Sequence, residues 1–352
     1  MLDEINQISS VDKSNMLDTI AQLPNQIKES LEIANNVIIE NFIKIDNIII
    51  TGMGASGISG DVISHLFRDK IDVPIYVNKE PDLPKWAKKN TLTIFISYSG
   101  ETEETLSSFK IASQKKCKAV TISSGGKLQD LSEKRGISHI KVPSGYQPRA
   151  AIAYLLFPII IILQKTGILK NKIDQDIDET VNILEEIIKN NNKSISVENN
   201  LSKQIAESLY NTIPQIYGWG FYNPIATRWK TQFNENSKLI SRVDFIPECN
   251  HNDIVGWSFD NDLLRKFSTI LFRDKDEESV YLSNRIEFMK RLFEGTVSNI
   301  IEIYPKGKSR LAKMLYTMCL GDFVSCYLAI LRNIDPSPID AITELKNHLS
   351  NI

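Results

Sequence analysis

The feature that most constrains this chain is a series of short β-branched runs, each closed by glycine or hydroxyl residues and followed by a helical pattern. Asn47-Ile48-Ile49-Ile50-Thr51 comes first and runs straight into glycines. An unbroken apolar run of this kind suits a strand buried on both faces, as in a parallel sheet. Val73 to Val77, Leu92 to Ile96, Ala119 to Ile122 and Ser138 to Val142 repeat it, with helical stretches at His65, over Glu103 to Lys115 and over Lys127 to Lys134. Strands alternating with helices imply a parallel sheet, because a parallel crossover needs a helix to bring the chain back. A fainter second copy follows in Ile213 to Tyr217, Thr269 to Phe272 and Asn299 to Tyr304, before a long apolar helical stretch, Leu311 to Arg332. The pattern predicts an α/β chain with two doubly wound parallel-sheet domains, helices on both faces of each. The first is expected over 47–165 and the second over 200–352. A helical segment, 1–46, precedes them, with apolar positions at helical spacing from Met16 to Ile43, and a helical linker, 166–199, joins them. The 352 residues accommodate two such domains.

Charge and cysteine use narrow the class of function. A formal net charge of −2, with 24% charged residues, offers no electrostatic reason for nucleic acid or a membrane surface as partner. The cysteines, Cys117, Cys249, Cys319 and Cys326, show no close pairing, so reduced thiols in a cytoplasmic protein are expected, with neither a disulfide framework nor a zinc site. The N-terminus carries acids early and has no apolar core, so no secretory signal is expected there. Ala150 to Leu163 is strongly apolar but shorter than the roughly 20 residues a membrane span needs, and reads as a buried helix. Lys189 to Lys193 (KNNNK) reads as a solvated linker.

Two loops carry the chemistry. The first strand enters Gly52-Met53-Gly54-Ala55-Ser56-Gly57, which satisfies the dinucleotide pattern GxGxxG. That match alone is weak, since any tight strand-to-helix turn benefits from glycine. The acid expected about 20 residues later, at the second strand's tip, is displaced: the strand ends Tyr76-Val77-Asn78-Lys79-Glu80. The third strand ends in Ser97-Tyr98-Ser99-Gly100-Glu101-Thr102, a hydroxyl-rich turn opening into a helix. In an open parallel sheet, ligands sit beyond the carboxyl ends of the strands where the strand order reverses. Ser56, Ser97, Ser99 and Thr102 would converge there with the free N–H groups of two helix N-termini, and Gly54, Gly57 and Gly100 would bring the backbone close. Neutral donors of this kind suit a phosphomonoester. The plainer alternative is that Ser99 and Thr102 only cap a helix.

These motifs resemble a known family. GMGASG, SYSGETEET and the Ser123-Ser124-Gly125-Gly126-Lys127 turn resemble the sugar isomerase (SIS) domain, a flavodoxin-like fold. Tyr146-Gln147-Pro148-Arg149, Tyr217-Gly218, Asn234-Glu235-Asn236, Asn250-His251-Asn252-Asp253 and Leu345-Lys346 follow in the order found in bifunctional phosphoglucose/phosphomannose isomerases. The resemblance implies a cofactor-free enzyme that interconverts glucose 6-phosphate, and mannose 6-phosphate, with fructose 6-phosphate. By the same resemblance Ser56, Ser97, Ser99 and Thr102 hold the phosphate, Arg149 lies beside the reacting carbons, Glu235 is the base, and His251 and Lys346 serve ring opening. It also implies a homodimer in which His251 reaches the neighbouring site. Two departures, Gln147 before Pro148-Arg149 and the order Ala55-Ser56-Gly57, keep the arginine and the serine.

The chemistry gives these residue types independent sense. Isomerisation needs a carboxylate that takes a proton from C2 and returns it to C1. Glu235, flanked by amides that would orient it, is such a group, although in isolation it reads as an exposed acid in a polar turn. A fixed guanidinium such as Arg149 stabilises the enediolate in a water-poor cleft, or else merely begins the apolar helix. Opening the pyranose needs an acid–base group near neutrality, and His251, in a polar segment, is better suited than His65, His139 or His348, which read as structural. Lys346 would pass for a solvated helix lysine without the resemblance. The histidines are scattered singly, so no metal site is expected. The competing readings are a non-catalytic SIS module that senses a sugar phosphate, the isomerase half of a glucosamine-phosphate synthase (which calls for an N-terminal cysteine where Leu2 stands), and a dehydrogenase.

Overall fold

The computed structural model describes residues 1–40, 42–259 and 261–349. The chain divides into two compact units, one of residues 22–181 with 309–311, the other of 1–21, 182–308 and 312–352.

In the first unit, β1 (Asn47–Thr51), β2 (Ile75–Asn78), β3 (Thr91–Ile96), β4 (Lys118–Ser123) and β5 (His139–Lys141) form a parallel sheet in the order β2-β1-β3-β4-β5. This is the doubly wound order anticipated from the alternation. Ile48, Ile49 and Ile50 of β1 have no exposed surface, and every residue of β3 is buried, as strands covered on both faces require. The order reverses between β1 and β3, so the loops after these two strands open side by side at the sheet's carboxyl edge. The apolar stretch Ile152–Lys165 is a helix buried from Ile152 through Leu163, as its length suggested. It packs on the helix Leu23–Asn36, where Ser30 donates to Ala153 O (3.1 Å) and the Lys165 ammonium donates to Asn35 O (2.7 Å). A cation on these terminal carbonyls stabilises the helix end. That helix stops at Asn36, short of the expected Ile43: Ile38 and Ile43 lie 89% and 101% exposed, so no continuous buried face extends beyond the Asn pair.

In the second unit, β6 (Ile213–Trp219), β7 (Arg242–Ile246), β8 (Phe267–Phe272) and β9 (Asn299–Ile303) form a parallel sheet in the order β7-β6-β8-β9. The order reverses between β6 and β8, the position equivalent to β1 and β3. Here the opening is filled. Asp274, after β8, accepts from the Tyr222 hydroxyl (2.7 Å) and the Lys313 ammonium (2.9 Å), and all three side chains are buried. Beside it Arg273 is held by the carboxylates of Glu278, Glu287 and Glu302. The KNNNK segment is no free linker. Asn191 closes the helix Asp174–Asn191, is 4% exposed, and accepts from Ser202 N and Ser202 Oγ at 2.9 Å each. Buried amides need such partners, and the polar composition that suggested solvation supplies them. Among the described residues one helix, Arg310–Leu331, is long and apolar enough to cross a membrane. Its apolar window is 94% buried, which marks a core helix.

Candidate functional site

The loops after β1 and β3 form a candidate anion cradle. The first helix, Gly54–Leu66, begins after Met53 and the second, Glu103–Gln114, after Thr102; neither start carries a side-chain cap. First-turn N–H groups left uncapped, with the positive ends of two helix dipoles, favour a bound anion. The capping alternative for Thr102 therefore fails: its hydroxyl lies 2.8 Å from Ser97 Oγ instead of on the helix backbone. Ser97 Oγ also accepts from Gly100 N at 3.1 Å, and Ser99 Oγ from Glu101 N at 3.2 Å, which curls the turn around the cradle. Ser97 and Ser56 are buried, at 1% and 5% exposure, whereas Ser99 is exposed at the rim. The one acid inside the turn is drawn aside, for the Glu101 carboxylate accepts from Lys127 N (2.8 Å) and pairs with the Lys127 ammonium (3.1 Å).

Glycine is required at two points of this cradle. A Cβ at Gly57 would sit 2.6 Å from Gly52 O, and one at Gly100 would sit 1.8 Å from Gly125 O. Gly100 also has φ +72°, where a side chain is strained. Gly54, at φ +52°, has open space around it, so its glycine answers to backbone conformation alone.

Arg149 lies in the same unit, in the short turn Pro148–Ala150 that leads from β5 into Ile152–Lys165, and is 2% exposed. A guanidinium so far from water is held in one orientation by its surroundings.

Glu235, His251 and Lys346 fall in the other unit, on three separate elements. Glu235 ends the helix Asn223–Glu235 and is half-buried. That helix is anchored to the helix Arg310–Leu331 by a buried bidentate pair, Arg228 to Asp322 (3.0 and 2.7 Å), joined by Gln232 at 2.7 Å. The Lys238 ammonium donates to Glu235 O (2.8 Å) and to Asp335 O and Pro336 O (2.9 Å each), fixing the backbone just past the carboxylate. The flanking amides also bond the surrounding backbone and side chains. Asn234 donates to Leu239 O and Asn236 to Ser325 Oγ, so they set the turn that carries the acid. His251 closes the short turn Glu248–His251 and is exposed, its ring without a hydrogen-bond partner among the described residues. Its loop is held by Asp253, which accepts from the Tyr217 hydroxyl (2.7 Å), Trp257 Nε1 (2.8 Å) and Arg242 (3.0 Å). Lys346 lies on the helix Asp340–Leu349, which has no buried residue. His65 bonds Asp61 O (2.9 Å), and His139 lies 2.8 Å from Thr121 Oγ1, both structural as read; His348 is instead exposed on the Lys346 helix. No cluster of three or more His, Cys, Asp or Glu side chains that could hold a metal occurs among the described residues.

Sequence reasoning passed over Lys238 and Tyr98. Lys238 had no signal beyond its place after an acid-bearing turn. Tyr98 had one, an aromatic residue set between two hydroxyl residues of the loop, and the structure buries it at 7% exposure.

The sheet order and the cradle at its reversal point define a SIS-domain protein, and residues 41–135 match the family model of the SIS domain. Residues 198–349 match the bacterial phospho-glucose isomerase C-terminal SIS domain. The chain is 38% identical to the bifunctional phosphoglucose/phosphomannose isomerase of Caldicellulosiruptor bescii, across 96% of this chain and 99% of that one. It is 37% identical to the enzyme of that name from Thermoplasma acidophilum, across 86% and 90%. This chain belongs to the family of bifunctional phosphoglucose/phosphomannose isomerases. The C-terminal domain of the Francisella tularensis glucosamine-fructose-6-phosphate aminotransferase shares the fold, with a TM-score of 0.71 at 18% identity over 92% of this chain and 98% of that one.

Proposed function

We propose that this enzyme interconverts glucose 6-phosphate and mannose 6-phosphate with fructose 6-phosphate through a cis-enediol, without a metal, as a cytoplasmic homodimer. The observation that carries the reading is the Ser97–Thr102 hydroxyl pair lying between two uncapped helix starts at the reversal of the first sheet. Ser56, Ser97, Ser99 and Thr102 hold the phosphate there.

His251 and Lys346 open the pyranose: one proton leaves O1 and another reaches the ring oxygen. Glu235 takes the proton from C2 of the open aldose and delivers it to C1, while O1 gains a proton and O2 gives one up. The enediolate between the two transfers carries charge that the buried Arg149 guanidinium stabilises. Since C2 is planar in that intermediate, one base serves both epimers. His251 acts in the partner's site. The support for a second copy is the run of exposed apolar residues that follows this histidine in sequence, where Val255, Phe259 and Leu263 are 60, 71 and 63% exposed. The scattered cysteines, three of the four buried, fit a reducing compartment.

The test is coupled-assay turnover of fructose 6-phosphate in EDTA, native chain against Glu235→Gln. Activity that survives chelation and falls by orders of magnitude in the variant is the expected result. A native protein that binds fructose 6-phosphate without turning it over is instead a sugar-phosphate sensor, and the isomerase reading is lost.

A further inference from the structure

We infer that Tyr98 is a positioning residue, tying the phosphate cradle to the turn that delivers Arg149. The inference rests on the proposed role of Arg149 beside the reacting carbons.

Tyr98 lies between Ser97 and Ser99, both assigned to the phosphate, but its own side chain leaves the cradle. Its hydroxyl donates to Pro143 O (3.0 Å) and accepts from Tyr146 N (2.9 Å), gripping the turn after β5 from both ends. The Tyr98 carbonyl accepts from Ser124 N (2.9 Å) and Ser124 Oγ (2.7 Å), so the same residue also fixes the loop after β4. Three strand-end loops thus meet on one tyrosine. Burial pushes its phenol up from the ordinary value, so the hydroxyl keeps its proton and its donor role through the neutral range.

The path from this grip to the guanidinium is short and stiff. Only Gln147 and Pro148 separate Tyr146 from Arg149, the proline ring fixes its own φ, and Ala150 N closes the turn on Gln147 O at 2.8 Å. Gly145, at φ +97°, supplies the bend that brings Tyr146 N back to the phenol. A charge-stabilising group is effective only when fixed relative to the bound substrate. A single residue that registers phosphate loop against guanidinium meets that requirement.

The experiment compares Tyr98→Phe, Arg149→Ala and the double variant for kcat and KM with fructose 6-phosphate. It adds inhibition by inorganic phosphate, which probes the cradle alone, and by a five-carbon phosphorylated aldonate, which also presents a carboxylate where the enediolate charge develops. Tyr98→Phe should lower kcat about tenfold or more, the order expected for a misplaced group. It should weaken the aldonate by a similar factor while leaving inhibition by phosphate within about twofold. In the Arg149→Ala background, removing the hydroxyl should cost nothing further, since the two act as one unit. Loss of phosphate affinity in step with kcat makes Tyr98 a support of the cradle alone and overturns the inference, as do unchanged kinetics or strictly additive losses. An Arg149→Ala enzyme with native turnover removes the role assigned to Arg149, and the inference with it, a result distinct from all of these. Should Tyr98→Phe not accumulate as folded protein, Gly145→Ala strains the same turn into open space without touching the cradle. It carries the same expected split, and a native kcat there refutes the inference.

Discussion

Substituting alanine for Gly100 tests the cradle most directly. The new Cβ would stand 1.8 Å from Gly125 O, and carbon–oxygen contact needs more than 3 Å, so the β3 and β4 loops must part by over an ångström. That movement breaks Leu128 N to Gly100 O (3.0 Å) and strains Ser124 N to Tyr98 O (2.9 Å). The φ of +72° adds its own penalty. Taking about 1 kcal/mol for backbone strain, 1–3 for the overlap and about 1 for a lost hydrogen bond gives roughly 3–5 kcal/mol. For a unit of this size, that is a fall in melting temperature of roughly 10 °C. Gly136→Ala is the matched control: φ is +63° but the space is open, so only the conformational cost, about 1 kcal/mol, applies. Calorimetry of the three proteins, with KM for fructose 6-phosphate measured on each, separates overlap from φ. If Gly100→Ala melts within a degree or two of Gly136→Ala and keeps the native KM, the interlocked loops do not shape the phosphate site.

Asp322→Ala removes the bidentate partner of the buried Arg228 guanidinium, and breaking such a pair costs about 3–5 kcal/mol. The urea midpoint should fall steeply, and Glu235-dependent turnover with it, since the pair anchors the Glu235 helix; a midpoint near native excludes the anchor. Burial holds the half-buried His139 down at about 4, against an ordinary 6.5. The unfolded chain therefore binds a proton that the fold refuses, so stability is complete above about 6.5 and falls as pH drops from 6.5 towards 4. His139→Gln should flatten that acid limb, read from urea midpoints at neutral and mildly acid pH. An unchanged slope in the variant assigns the acid sensitivity elsewhere.

The first sheet was legible because its strands are uninterrupted apolar runs with glycine or hydroxyl punctuation, and burial on both faces leaves that signature. Arg242–Ile246 was missed for the opposite reason: it is an edge strand with Arg242 and Asp244 along it and only Ile246 buried, so it lacks the apolar run. In the cradle, Ser97, Ser99 and Thr102 could be chosen from adjacency alone, because a loop of six residues carries its own geometry. Glu235 and Lys346 could not, as nothing within their own segments distinguishes a working acid or base from a solvated one. For Glu235 that context lies in Lys238 and the 335–336 turn, about a hundred positions apart in sequence. Tyr98 and Asp253 illustrate the same limit from another side. Each is a hub with partners on other strands or loops, and long-range hydrogen bonds leave no local periodicity to detect.

The closed opening of the second sheet has a consequence for how its residues can vary. Tyr222, Asp274 and Lys313 occupy the position equivalent to the phosphate site proposed for the first sheet, and a carboxylate there repels a phosphate as surely as it fills the space. On the proposed assignment of the phosphate, each polypeptide thus offers one sugar-phosphate berth among the described residues instead of two, despite its paired architecture. With no ligand to accommodate, the three residues answer only to volume and charge balance. In related chains they should change together, as a set, into other combinations that fill the same gap, while the hydroxyls of the first sheet's berth are held to their chemistry one by one.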